Sequence, residues 1–409
     1  MDHSKHDTGA PFLEFPVVVA KSEGATESIG ASSEDGSVNF DPGSSCHFGS
    51  SHSSSSNISG CSANSSAAGQ PMRASPRFPL PRLARLTRCS GEVREDFSRV
   101  IKPVPVRTIR IEQLVGPFKT LGQGEFCVAS LATLDGNPVV IKRLRVEQRE
   151  NPTAAKDLAS EISMMTSLRH AHILGALAQG KDEHGLPFLV LEKLDCVLSA
   201  ELPKPSDSVP FWTRRSQVKK WPLGRALRIG IQLAEALHYC HAEVADSVYP
   251  GCRVLHRDLK PSNVGFLPDG RLALFDFGLA KLWQISEHDE GGTESRPLTG
   301  NTGSLRYMAP EVALNQPYSH KAEVFGFGTI LWQMASHERP FAGCDAKAFY
   351  RRVCTQHERP KIPKAFPPAL AALLTRCWSP SAAERPEMLE VLDRLREILE
   401  SVEAGLSNR

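Results

Sequence analysis

From about Ile109 onward, short apolar runs alternate with turn residues, and the spacing then becomes helical. Phe118–Gln123, Phe126–Leu134 and Pro138–Arg143 read as strands by length and composition. Asp135-Gly136-Asn137 separates the last two, as a hairpin requires. Asn151 as cap and Pro152 at the first helical position announce a helix. Its apolar face is Leu158, Ile162, Met165 and Leu168. A further strand, Phe188–Glu192, leads into a polar insert. After Pro222 the positions Leu227, Ile231, Ala234 and Leu237 keep helical spacing, as do Leu389, Leu392, Leu395 and Leu399 near the end. Strands first and helices later predict an α+β fold with a small sheet lobe and a larger helical lobe.

The composition changes near residue 105. Residues 21–70 are dense in Ser, Gly, Ala and Asn, including the run Ser53–Ser56. Such a segment buries too little apolar surface to offset its ordering entropy and is expected to be disordered. Arg73–Arg88 then carries five arginines and no acid. Its Arg73-Ala74-Ser75-Pro76-Arg77-Phe78-Pro79 portion fits a polyproline-recognition pattern, with a solvated linker as the plainer alternative. The expected organisation is a Ser-rich and basic, Pro-containing tail over 1–106, a folded domain over 107–400 and a short tail over 401–409.

Charge and cysteines narrow the class. A net charge of +2 lacks the basic bias of a nucleic-acid binder. Asp2 stands where a signal peptide would be positive, and Phe12–Ala20 is short and contains Glu14 and Pro16. No run reaches the roughly 18 apolar residues of a membrane span. The ten cysteines are scattered without a CxxC, a pattern of free thiols in a reducing compartment rather than of disulfides or a zinc site. A cytoplasmic location is expected, with the nucleus as the alternative.

The candidate chemistry begins at Leu121-Gly122-Gln123-Gly124-Glu125-Phe126, where glycines allow a backbone to approach phosphate oxygens. Lys142 ends the apolar strand Val139-Val140-Ile141. Glu161 lies beside the buried stripe of the following helix, where an acid is costly unless paired, and Lys142 is the natural partner. His256-Arg257-Asp258-Leu259-Lys260-Pro261-Ser262-Asn263 gathers a base, two cations and an amide into one loop. Asp258 is placed to orient a hydroxyl nucleophile and Asn263 to hold a metal ion. Asp276-Phe277-Gly278 follows the strand Leu272–Phe275 and offers a carboxylate suited to a hard ion such as Mg²⁺.

In order and spacing these motifs resemble a eukaryotic protein kinase over residues ~110–400, of the serine/threonine type. Arg306-Tyr307-Met308-Ala309-Pro310-Glu311 and Cys377-Trp378 with Glu384-Arg385-Pro386 look most like the tyrosine-kinase-like group. The resemblance implies a bilobal fold, use of ATP and Mg²⁺, and transfer to Ser or Thr of protein substrates. By it, Leu121, Gly122, Gln123, Gly124, Val128, Val140, Leu191, Glu192 and Leu194 line the ATP site, with Leu191 at the back and Glu192–Leu194 as hinge. Lys142, paired with Glu161, contacts the α- and β-phosphates. Asp258 is the base, Lys260 steadies the γ-phosphate, and Asn263 and Asp276 bind Mg²⁺. Met165 stacks with Phe277 and His256. Glu311 pairs with Arg385, and Ser304 faces Lys260. An upstream activating kinase would modify Thr299, or Thr302 second, with Arg257 receiving the phosphate.

The departures are informative. Cys127 stands at the usual third loop glycine, Val140 at a smaller roof position, Gly265 at a leucine-like floor position and Glu323 at the aspartate that anchors the catalytic loop. Gly265 predicts either a lower adenine ring or a neighbouring side chain in the floor. Two rival functions share the fold or the tail: a pseudokinase scaffold, opposed by the intact Lys142, Asp258, Asn263 and Asp276, and a disordered-tail adaptor. A small-molecule kinase would lack Glu311 and Arg385.

Overall fold

The structure is a computed structural model that describes residues 106–206, 208–285, 295, 298, 300 and 303–407. The first lobe is a seven-stranded sheet with spatial order β1-β6-β7-β5-β4-β2, and β3 also pairs with β4. Its strands are β1 (Arg107–Arg110), β2 (Leu114–Val115), β3 (Thr120–Gln123), β4 (Cys127–Leu134), β5 (Asn137–Leu144), β6 (Ala176–Lys181) and β7 (Pro187–Glu192). Helix α1 (Pro152–Ser167) intervenes between β5 and β6. The β4–β5 hairpin closes through Asp135 and Gly136, both at positive φ (51° and 80°), so Asn137 belongs to the strand rather than to the turn. Asn151 caps α1 by accepting from the Thr153 and Ala154 amides. Leu158, Ile162, Met165 and Leu168 are all buried, as their spacing predicts.

Two features of this sheet lie outside the sequence expectation. β1 runs parallel to β6, in register from Arg107 opposite Ala178 to Arg110 opposite Lys181. Ile109 of β1 is buried in a small cluster with Leu134, Ile141, Phe188 and Val190. β6 itself carries no strong period-two signal.

The second lobe begins after the connection that holds β8 (Cys196–Val197) and α2 (Leu198–Glu201). The polar insert forms α3 (Phe211–Lys219) and is followed by α4 (Leu223–His241). Two short pairings, β8 with β10 (Val264–Phe266) and β11 (Leu272–Leu274), and β9 (Cys252–Leu255) with β12 (Lys281–Gln284), present the loops between them. The chain then runs through α5 (Pro310–Ala313), α6 (Lys321–Ser336), α7 (Ala346–Phe349), α8 (Pro368–Cys377) and α9 (Met388–Ser407). Helix α6 is buried on nearly every side, which suits its continuous apolar run. On α9 the buried seam is Met388, Val391, Leu392, Leu395 and Ile398, and Leu389 is half exposed. Of the expected stripe, Leu392 and Leu395 lie in this seam and Leu399 packs against it, and only at its start does Met388 take the place of Leu389. Among the described residues no helix is long and apolar enough to cross a membrane, and seven cysteines are free thiols.

Candidate active site

β5 delivers Lys142 between two acids. Its Nζ donates to Glu161 Oε1 of α1 at 2.6 Å and to Asp276 Oδ1 at 3.0 Å. Burial alone would depress the Lys142 ammonium, but Asp276 and Glu161 outweigh it and hold its pKa above the ordinary lysine range. Lys142 in turn keeps the Asp276 carboxyl below the usual carboxylate range. Asp276 sits in the left-handed region (φ 65°, ψ 68°), a conformation that costs energy for a residue with a side chain and recurs at functional sites. The next residue, Phe277, is buried edge-on to His256 at 4.7 Å between centroids, in the same core as Met165.

The loop after β9 builds a second centre around Asp258. Its Oδ1 accepts from both the amide and the hydroxyl of Ser304, each at 3.0 Å. Its Oδ2 accepts from Lys260 Nζ at 2.7 Å and Asn263 Nδ2 at 3.0 Å. His256 is fully buried and braced by the Phe275 carbonyl (Nε2, 3.0 Å) and the Asp258 amide (Nδ1, 3.2 Å), which selects the tautomer protonated at Nε2. Gly303 approaches so closely that a Cβ there would lie 2.4 Å from the Arg257 carbonyl and 3.1 Å from Asp258 Oδ1. Only glycine fits at that position.

Glu323 resolves one of the departures. Its Oε1 accepts from the Arg257 amide at 2.6 Å, and its Oε2 pairs with His241 Nε2 at 2.6 Å. The loop is therefore anchored from α6 although the anchor is a glutamate. Burial raises the carboxyl pKa, but His241 and the Arg257 amide bring it below the ordinary value. His241 went unnoticed in the sequence because it closes the apolar helix α4, where a histidine reads as core. Arg257 donates through Nη1 to the Leu279 carbonyl (3.4 Å) and hydrogen-bonds Tyr318, both uncharged groups.

Farther along, Arg385 grips Glu311 in bidentate fashion, Nη1–Oε1 at 2.5 Å and Nη2–Oε2 at 3.0 Å. It also donates to the Ser379 and Lys321 carbonyls while almost fully buried. Thr299 and Thr302 lie outside the described residues.

The cleft above has its own geometry. Gly122 has open space where a side chain would stand, and Gly124 donates to the Cys127 carbonyl at 2.8 Å. Leu121, Gln123 and Val128 belong to the β3–β4 ribbon beside it. Burial pushes the Cys127 thiol up to about 11, so it stays protonated and unreactive near neutrality. Val140 pairs across the sheet with Leu191, which is buried at the back. Glu192 turns its carboxylate away to accept from the Gly175 amide at 2.7 Å. At Gly265 a Cβ would stand 2.5 Å from Leu194 Cδ1 and 3.0 Å from its Cδ2. Leu194, expected as a hinge residue, thus fills the space that Gly265 leaves, and of the two alternatives the neighbouring side chain holds.

A family model described as "Protein kinase domain" matches residues 117–395. The chain belongs to the protein kinase domain family. Among its curated relatives is a probable serine/threonine-protein kinase of Dictyostelium discoideum, 28% identical over 278 residues, covering 68% of this chain and 27% of that protein. The serine/threonine/tyrosine-protein kinase HT1 of Arabidopsis thaliana is 27% identical over 271 residues, 66% of this chain and 62% of its own. The Arabidopsis serine/threonine-protein kinase VIK is 30% identical over 285 residues, 69% of this chain and 59% of its own. The chain thus matches between about a quarter and three fifths of the length of these kinases.

Proposed function

We propose that this chain transfers the γ-phosphate of ATP to serine and threonine hydroxyls of protein substrates, with Mg²⁺ as the metal. The observation that carries the reading is the pair of centres: Lys142 held between Glu161 and Asp276, and Asp258 held between Lys260, Asn263 and Ser304.

The metal fits the residues present. Both hydrogen bonds of Asn263 use its nitrogen, which leaves the amide oxygen as a ligand atom. Asp276 binds Lys142 through Oδ1, which leaves Oδ2. Among the described residues no three His, Cys, Asp or Glu side chains converge on one point. Two protein oxygens plus phosphates is the sparse ligation that Mg²⁺ prefers. The bound metal would neutralise phosphate charge during transfer. Lys142 would bind the α- and β-phosphates, and Glu161 would hold its ammonium in place. Asp258 would orient the acceptor hydroxyl and take its proton at Oδ1 or Oδ2. Lys260, already on Asp258, would reach the transferring phosphoryl. Positioning and charge account for most of the rate in such chemistry.

Regulation by a phosphate on Thr299 or Thr302 belongs to the same proposal. Gly303, next in sequence to Thr302, packs on the Arg257 carbonyl. Phosphopeptide mapping of active enzyme, with neither threonine modified, would remove this part. The reading as a whole is tested by presenting purified chain with Mg·ATP and degenerate peptides that offer Ser, Thr or Tyr. Phosphate on Ser and Thr is expected, and phosphate on none of them would refute it.

A further inference from the structure

The insert helix α3 takes no part in the chemistry above, yet it carries the most exposed large apolar side chains of the described residues. Phe211 is 74% exposed and Trp212 75%. The helix is held from behind: Arg214 is paired with Glu338, and Gln217 Oε1 accepts from the Lys204 amide at 3.1 Å. Thr213, Arg214, Gln217 and Val218 are half-buried, whereas Phe211, Trp212, Arg215, Ser216, Lys219 and Lys220 are exposed. At 3.6 residues per turn those six form one continuous strip. It is aromatic at its N-terminal end, cationic along the rest, and contains no acid.

The order of side chains along the strip decides what it suits. A helix that lies in a membrane surface has an apolar stripe along its whole length and cations on the opposite face. Here the aromatic and cationic parts follow one another on the same face, over a helix of only nine residues. That order suits a linear segment lying along α3, with apolar side chains on Phe211 and Trp212 and carboxylates on Arg215, Lys219 and Lys220. The strip is also tied to the catalytic loop. Glu338, the partner of Arg214, precedes Pro340 and Phe341, whose carbonyls accept from Arg306 at 2.5 and 3.1 Å. Arg306 lies two residues after Ser304, which holds Asp258.

We propose that the exposed face of α3 is a docking surface for an acidic segment of the protein substrate, one that is apolar at one end and rich in carboxylates at the other. The inference rests on the kinase reading only for the word substrate, and it is tested without turnover. The probe is a short fluorescein-labelled peptide with leucines at one end and glutamates at the other, titrated with the full chain in the absence of nucleotide. Anisotropy should rise, and the affinity should fall with salt, because the contacts are exposed. The variant Arg215→Glu/Lys219→Glu/Lys220→Glu should bind about ten-fold more weakly or worse, three exposed ion pairs being lost. Phe211→Ala/Trp212→Ala should bind several-fold more weakly, and a peptide with lysines in place of glutamates should not bind. Both variants should keep the parent melting temperature and its kcat on a short uncharged peptide. Unchanged affinity in both variants would overturn the proposal. So would failure of the peptide to bind while phosphatidylserine vesicles sediment the chain through the same residues. A chain that binds the peptide but phosphorylates nothing would refute the kinase reading and leave the docking surface standing.

Discussion

At the scale of single residues, two centres make opposite demands on a substitution. Asp276 is a partly exposed carboxylate, its side chain 42% exposed, so Asp276→Asn would remove the proposed metal ligand without loosening the core. That variant should fold normally and lose Mg·ATP-dependent transfer entirely, as a radiolabel assay would read. Asp258→Asn should slow transfer roughly 10²–10⁴-fold, the usual worth of a positioned base. Near-parental turnover in either variant would reassign the roles. The proposed adenine floor calls for a different experiment, because the side chain beside Gly265 is that of Leu194. Gly265→Leu should raise the apparent ATP constant several-fold through collision with Leu194. Adding Leu194→Ala should recover much of that loss, and Val140→Ala alone should weaken ATP several-fold by thinning the roof. If Gly265→Leu and Leu194→Ala combine additively, the two side chains do not share one space.

At the scale of elements, the buried network under α6 predicts how stability responds to acid. His320 accepts from Arg253 at Nδ1 (3.1 Å) and donates from Nε2 to Glu387 (2.9 Å), and burial lowers its pKa from 6.5 to about 4. A histidine kept neutral in the fold takes its proton first in the unfolded chain. Stability from this group is therefore complete above pH 6.5 and drains as pH falls towards 4, by about 3 kcal/mol at most. Burial tends to raise Glu387, but His320 and Lys321 bring it down to about 2, so its share is lost lower, between about 4.5 and 2. Thermal melts from pH 7 to 4 should show the first decline, and His320→Asn should flatten it relative to the parent. An equal slope in both would exclude His320 as the source.

The same scale shows what a sequence can and cannot display. Lys142, Glu161, Asp258, Asn263, Asp276, Glu311 and Arg385 were legible because the chemistry restricts residue type and spacing together. α1 was legible because its cap and its period agree. On α9 the expected Leu392, Leu395 and Leu399 do face the core, but Met388 and Leu389 are both apolar and adjacent, so periodicity alone could not choose which of the two, about 100° apart, begins the seam. α3 was seen only as polar because its apolar residues point outward. β1 is four residues long and its partner lies some seventy positions away, so nothing local announced it. The part played by Leu194 was hidden for a related reason: a glycine tells that a side chain is missing but not which distant one replaces it.

At the scale of the whole molecule, the boundary of the fold follows from β1. Removal of residues 1–100 should leave folding and peptide phosphorylation intact, because no catalytic group lies there. Removal through Gln113 should do more, since it strips Ile109 from the small sheet core and bares the edge of β6. We expect a melting temperature several degrees lower and some aggregation in the second truncation but not in the first. Equal melting of the two would make β1 a passenger.

β1 also has a mechanical consequence. The chain enters the sheet through a parallel pairing, and a pull directed along β1 would load its rungs to β6 in shear. Rungs loaded in that direction bear the force together, whereas rungs peeled from one end give way in sequence. A partner tugging on the tail would therefore transmit tension through β6 and β7 to β5, the strand that carries Lys142, before the tail let go.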